Sequence, residues 1–447
     1  MLAAYFGCNS NMNVIFNSGF NQIVLEMAFA RKNSKTAFLN EVSNATDLNG
    51  GRILDVYIVG DHRISVSDIV KGVESMTKEV NSLFVKFFSY ANIKFPVIDL
   101  SKFGNDSHSL NTPGHFFLME DAYTNLRVIS DEINAKLIKK ICTSESITVF
   151  SRTKQFSDLK LQSANARSIS EILELYDDLL ARVCTLFHIL SLGLARGTEF
   201  IMTRIRSTSC NTRSLFIHSN LVLCINRDNK INSLIGRCTN APRYACPSVS
   251  RFIILLIAFV KPAVLLLNQI QRRNTSIPAF DVSNFQDFLM VGSDLQQINV
   301  VDWRIKTFPT VLQTHLQKKI TFQQFRHLHQ LLLEQHVLGS RHEGISDPLS
   351  LQYMMTKLIE LSSHSVDTAK NYGASDEDVN SHNYNSRDFT LALDVSQRYW
   401  ELLKVVDSFP SVQLPNTKQV KKTFNFYEYF NTLNHLLTLL YQLSTDF

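Results

Sequence analysis

The chain has 447 residues, 45% apolar and 19% charged, an ordinary globular balance with room for two or three domains and a sizeable core. A net charge of +5, from 45 Lys and Arg against 40 Asp and Glu, excludes a histone-like polycation and allows a local basic groove. Seven scattered cysteines without a C-x-x-C pair argue against a disulfide framework or a zinc finger, and fit a reducing, intracellular setting.

Along the chain, Met1 to Phe20 has no basic segment ahead of an apolar run, so no secretory signal is expected. The first fifty residues, rich in Asn, Ser and Ala, suggest no element. From Ser65 to Asn92 the spacing of Ile69, Val70, Val73, Met76, Val80, Leu83, Phe84 and Phe87 predicts an amphipathic helix. Asn105 to Gly114 reads as a polar loop, Ala122 to Ile141 as helix and Ser151 to Ala164 as a linker. Ser168 and Glu171 have capping-box spacing, predicting a helix that buries Ile172, Leu175, Tyr176, Leu179, Val183, Leu186, Phe187 and Leu190 and stops near Gly193.

The period then changes. Leu215 to His218 and Leu221 to Ile225 flank Ser219-Asn220 as a hairpin, and a third strand is expected to end at Tyr244. Helices resume after Pro247. The most apolar run, Phe252 to Val260, is expected to stop at Lys261 and Pro262, too short to span a bilayer. Thr321 and Gln324 again have capping-box spacing, which puts Arg326 and His327 in the first turns of a helix whose core side is Phe322, Phe325, Leu328 and Leu332. The expected class is mostly α with a small antiparallel β-sheet insert, divided into an N-terminal helical region at 1–165 and a second domain at 166–447.

No phosphate-binding P-loop, dinucleotide fingerprint or H-E-x-x-H motif occurs. Four short constellations remain: Arg196-Gly-Thr-Glu199 after the long helix; Lys230 in a turn after the hairpin; Gln323 with Arg326-His327; and His364-Ser365 running to Tyr372. Each alone reads as a solvated turn or helix face. In this order they resemble the active site of tyrosine recombinases, and more closely a fungal group found in crypton-like mobile elements and beside RecQ-type helicases. Pro242-Arg243-Tyr244, Pro247, Thr368-Ala369, Ser396 and Trp400 also carry the likeness, which runs from about residue 60 to the end.

The resemblance implies a core-binding-like DNA clamp at 1–165, a tyrosine recombinase-like catalytic domain at 166–447, and the chemistry. Tyr372 would attack a DNA phosphate and form a 3′-phosphotyrosine, Arg196 and Arg326 would clamp the phosphate, and Lys230 would protonate the leaving 5′ oxygen. His364 would hydrogen-bond the phosphate or assist proton transfer, and Glu199 would orient Arg196. Further DNA contacts are expected from Arg204, Arg206, Arg237, Arg243 and Lys306. The implied partners are double-stranded DNA, a second copy on paired sites and, in this group, a helicase. The implied setting is the nucleus, with no cofactor, metal or membrane.

The chain departs from the pattern at three positions. Gln323 stands where histidine is usual and cannot act as acid or base. Ser363 replaces a glycine, and Tyr372 falls one residue close to His364, which makes Tyr384 the alternative nucleophile. An inactive, domesticated DNA-binding protein and a helical interaction scaffold are the competing readings.

Overall fold

The computed structural model describes residues 42–46, 52–103, 105–106, 113–120, 123–153, 158–162, 165–209, 212–226, 241–274, 282–338 and 386–405. Lys230, Arg237, His364, Tyr372 and Tyr384 lie outside them. The described chain is mostly helical, with two small antiparallel sheets.

The first sheet is formed by β1 (Val42–Thr46), β2 (Arg52–Val59) and β3 (His62–Ser65), in that order; β1 lies within the first fifty residues, where composition had suggested no element. Gly60, at φ +56°, turns β2 into β3, which pair from Val59–His62 to Val56–Ser65. Ser65 then caps α1 (Val66–Tyr90): its hydroxyl accepts from the Asp68 N–H, and the Asp68 carboxylate accepts from the Ser65 N–H. Of the predicted apolar face of α1, Ile69, Val73, Met76, Val80, Phe84 and Phe87 are buried, and Val70 and Leu83 are partly buried at its edges.

After α2 (Thr124–Ile141) and α3 (Ser144–Thr153) comes α4 (Ala166–Leu190), on which the fold is built. Its eight predicted core residues are all buried. The helix starts ahead of the expected Ser168 cap. Glu171 instead pairs with Arg167 one turn earlier and accepts from the Tyr90 hydroxyl of α1 at 3.1 Å, so the spacing marks a surface tie and not the helix start. α1 packs along α4, and a single apolar cluster runs from Tyr57 to Leu403.

A short helix α5 (Gly197–Ile201) leads into the second sheet: β4 (Leu215–His218), β5 (Leu221–Asn226) and β6 (Ala241–Tyr244). Ser219 and Asn220, both at positive φ, make the tight turn that the hairpin demands. The His218 ring lies 2.6 Å by its Nδ1 from the Tyr244 hydroxyl, tying the two outer strands.

α6 (Pro247–Leu255) begins on a proline, whose missing N–H costs nothing in a first turn. The helix does not stop at Lys261 and Pro262, as the sequence had suggested. It widens into a π turn over Leu256–Val260 and continues as α7 (Lys261–Asn274), the wide turn making room for a proline that a regular helix would reject. By length and composition Pro247–Gln271 is enough to cross a bilayer, yet 89% of its most apolar window is buried within the fold.

Beyond α8 (Ser283–Asp287), Val300–Asp302 and a π turn (Trp303–Thr307) lead into α9 (Phe308–Leu316), which packs on α1 and α4. Then comes α10 (Phe322–Leu332), capped as predicted by Thr321 and Gln324. The last described helix, α11 (Ser386–Leu402), closes the end of α4. Tyr399 donates to the Ile189 carbonyl at 3.1 Å and Trp400 to the Leu190 carbonyl at 2.8 Å, satisfying two carbonyls that the helix end leaves open.

Candidate functional site

Two helix starts meet above a layer of rings. Phe200 of α5, Trp303, Phe308 of α9, and Phe322 and Phe325 of α10 are all buried. The His188 ring of α4 stacks on Phe322 at 4.6 Å and also meets Phe200 and Phe308. Burial of these faces holds the first turn of α5 beside the first turns of α10. Arg196 immediately precedes α5, and Arg326 sits on α10.

Glu199 lies at the centre, only 6% exposed. Its carboxylate accepts from the backbone N–H of Arg196 at 3.1 Å. Arg196 Nη1 stands 3.8 Å from one oxygen, and Arg243 Nη2 of β6 stands 3.9 Å from the other. Arg243 is fixed separately, its Nε donating to the Gly193 carbonyl at 2.6 Å. That carbonyl belongs to the glycine (φ +63°) that turns the chain after α4. Arg304, from the π turn, lays its aliphatic stem over Gly197, where a Cβ would come within 2.6 Å of Arg304 Cδ. Glycine at 197 is what permits that approach.

Arg326 shares this neighbourhood. Burial pushes its pKa down to about 10; Glu199 opposes the shift, and the charges of Arg196, Arg243 and Arg304 add to it. Arg196, Arg243, Arg304 and Arg326 are thus grouped around one carboxylate. Nε and Nη1 of Arg196 and Nη1 of Arg243 are buried and have no hydrogen-bond partner among the described residues. Such an excess of cationic donors, shielded from water, is electrostatically suited to an oxyanion such as a phosphate.

Two histidines stand behind the arginines as neutral groups. His329 is buried against Tyr399, and burial, with the Arg326 charge adding to it, pushes its pKa down to about 3 against a hydrogen bond to the Ser191 backbone. His188 is held well below the ordinary histidine range by burial first and Arg326 next. Gln323 is half-buried, three residues before Arg326 and so on the same face of α10. His327 is at the exposed edge, its pKa lowered by partial desolvation and by Arg326.

The remaining basic residues lie elsewhere or contribute differently. Arg243 is buried in the cluster instead of standing on a surface. Arg204 lies over the Phe288 ring at 4.6 Å. Arg206 lies over Phe116 at 4.7 Å and donates to Gln286, beside a cavity of about 300 Å³ that it lines with Arg127 and the buried Lys261. Lys306 is exposed and paired with Asp302 at 2.7 Å. Arg304, His188 and His329 were not picked out by sequence reasoning. The one local signal for Arg304 is the small residue Gly197 far away in the chain, which becomes meaningful only once the two segments touch.

Compared with protein-family models, with curated proteins and with solved structures, the chain matches none.

Proposed function

We propose that the chain is a DNA-binding protein with the architecture of a tyrosine recombinase, and that the arginine cluster is its phosphate site. The observation that carries this reading is the grouping of Arg196 and Arg326, from distant segments, around the buried Glu199, with Arg243 and Arg304 adding further positive charge. Guanidinium groups suit this task, because their planar fork donates two parallel hydrogen bonds to phosphate oxygens.

In the proposed reaction Tyr372 attacks the phosphorus and the bond to the 5′ oxygen breaks. Lys230 gives that oxygen its proton, and His364 assists the loss of the tyrosine proton. A tyrosine hydroxyl with a pKa of about 10 is a weak nucleophile, so the arginines must neutralise the charge that builds on the non-bridging oxygens. Gln323, which cannot transfer a proton, makes the chemistry slow and favours, as a second reading, a clamp that binds DNA without cutting it.

One experiment separates the readings. A nicked suicide substrate that releases a short oligonucleotide on cleavage is incubated with wild type, Tyr372→Phe, Tyr384→Phe and Arg326→Ala. The recombinase gives a denaturant-resistant adduct that Tyr372→Phe and Arg326→Ala abolish. An adduct lost only in Tyr384→Phe and Arg326→Ala moves the nucleophile and keeps the mechanism. Salt-dependent DNA binding with no adduct supports the clamp. No DNA binding at low salt leaves only the interaction scaffold.

A further inference from the structure

A second buried cluster, away from the arginines, has the opposite charge balance. Asp106 follows the first 3₁₀ turn (Leu100–Lys102), while His115 and Glu120 flank the second (Phe117–Met119). One potential ligand atom from each of the three lies within 4.8 Å of the other two. Asp106 is 2% exposed. Its Oδ1 accepts from Arg213 Nη2 at 2.7 Å, and both side chains of that pair are fully buried. Its other oxygen, the Nε2 of His115 and the Oε1 of Glu120 are all buried, and among the described residues they have only one another to face: burial, and a hydrogen bond shared with Glu120, push the Asp106 pKa up to about 7 against the pull of Arg213. His115 Nε2 stands 3.9 Å from that same Glu120 oxygen.

Three lone-pair donors facing one another in a buried space are costly unless something electron-poor lies between them, and a proton shared by Asp106 and Glu120 serves only two of the three. A metal ion meets that need for all three at once. From this convergence we infer that Asp106, His115 and Glu120 form a binding site for a first-row divalent metal ion. Donors bound at about 2.0–2.2 Å to one ion stand roughly 3–4 Å apart, so the widest pair here has to close by up to about 2 Å. The donor set chooses the class of ion. An imidazole nitrogen with two carboxylates suits zinc or manganese, whereas magnesium prefers an all-oxygen shell with several waters. Arg213 then acts as the outer hydrogen-bond partner that orients the Asp106 carboxylate.

The site also has a structural use. The Gly114 N–H donates to the Ser207 carbonyl at 2.6 Å, the Ser207 N–H to the His115 carbonyl at 3.1 Å and the Asp106 N–H to the Ile217 carbonyl at 2.8 Å. An ion on Asp106, His115 and Glu120 would fasten these segments to one another and to β4.

The test uses the full chain stripped with a chelator. Mn²⁺, Zn²⁺ and Mg²⁺ are added separately to wild type, Glu120→Gln and His115→Gln, and bound metal and thermal unfolding are read. Expected is about one equivalent of Mn²⁺ or Zn²⁺, a raised unfolding midpoint and binding at least tenfold weaker in both variants. Mg²⁺ should have no such effect at the same concentration. Metal that binds both variants as well as wild type sits on other groups, such as the cysteines, and overturns the inference. So does stabilisation by Mg²⁺ equal to that by Mn²⁺. A third contrary result is no stabilisation by any of the ions together with a Glu120→Gln chain more stable than wild type, which would mean that Asp106 and Glu120 share a proton.

Discussion

The arginine cluster around Glu199 and the carboxylate–imidazole cluster around Arg213 are built alike and charged oppositely. Each has at its centre one fully or nearly fully buried ion of the minority sign, Glu199 in the first and Arg213 in the second. In each, that ion fixes part of a larger group of the other sign. Around Glu199 the surplus is positive and consists of donors; around Arg213 the surplus is negative and consists of lone pairs. A buried pair alone adds little net stability, because desolvation offsets its attraction. The minority ion therefore holds together a group of like charges that would otherwise push apart, leaving a site that attracts its complement. By this logic the first site calls for a phosphate and the second for a metal ion.

The largest effect should come from removing a minority ion. Glu199→Gln leaves the arginines without their carboxylate and should cost about 3–5 kcal/mol in chemical denaturation. Sulfate should restore much of that loss, beyond its effect on wild type, by occupying the arginine site. Arg213→Met should cost a similar amount, yet sulfate should give it no more than it gives wild type. Equal rescue of both would break the contrast between the sites.

A smaller effect concerns acid. His329 and His188 are protonated in the unfolded chain below about pH 6.5, the ordinary histidine value, but stay neutral when folded. Their folded pKa values are depressed, so the unfolded state takes up more protons. The stability they contribute is present above pH 6.5 and falls with acid towards the folded value, which for His329 is about 3. The loss should approach about 1.4 kcal/mol per pH unit for each histidine. His329→Gln should flatten the profile by one histidine between pH 6 and 4. An unchanged slope would show that His329 is protonated in the fold, and would weaken the account of the arginine site's buried wall.

Gly197→Ala should act mainly on binding. The new methyl group displaces the stem of Arg304, so, under the proposed DNA-binding function, affinity for DNA and its salt dependence should fall by about one phosphate contact while the fold persists. The smallest effect belongs to Lys306→Ala. This exposed lysine already has Asp302, so stability should change by under about 0.5 kcal/mol and the salt slope by at most about one counterion.

Much of this architecture was legible in local patterns. The capping box at Thr321 and Gln324 placed Arg326 in the first turns of α10, and the apolar spacing of α1 and α4 identified their buried faces. Ser219-Asn220 marked the hairpin, since two consecutive residues with short polar side chains tolerate the positive φ that the turn needs. The sheet β1–β3 was missed, because β1 is short and polar and the apolar run of β2 does not alternate, so neither carries a clear period of two. It is held by what it touches: the Tyr57 hydroxyl lies 2.7 Å from His336 Nε2, just beyond α10. The end of the long apolar helix was misjudged for a related reason. Proline forbids a regular helix locally, but a π turn packed on all sides can carry the chain past it.

What the sequence by itself determined is what depends on neighbours a few residues apart: helix starts, tight turns, apolar faces and the order of candidate residues. Only the tertiary structure decided which charges share a space. Arg196, Arg243, Arg304 and Arg326 gather because a layer of buried rings forces α5 against α10, and Asp106 joins His115 and Glu120 because the segments that carry them are hydrogen-bonded to the strand region around Arg213. Charge interactions depend on distance and on exclusion from water, and neither is written in the spacing of residues along a chain.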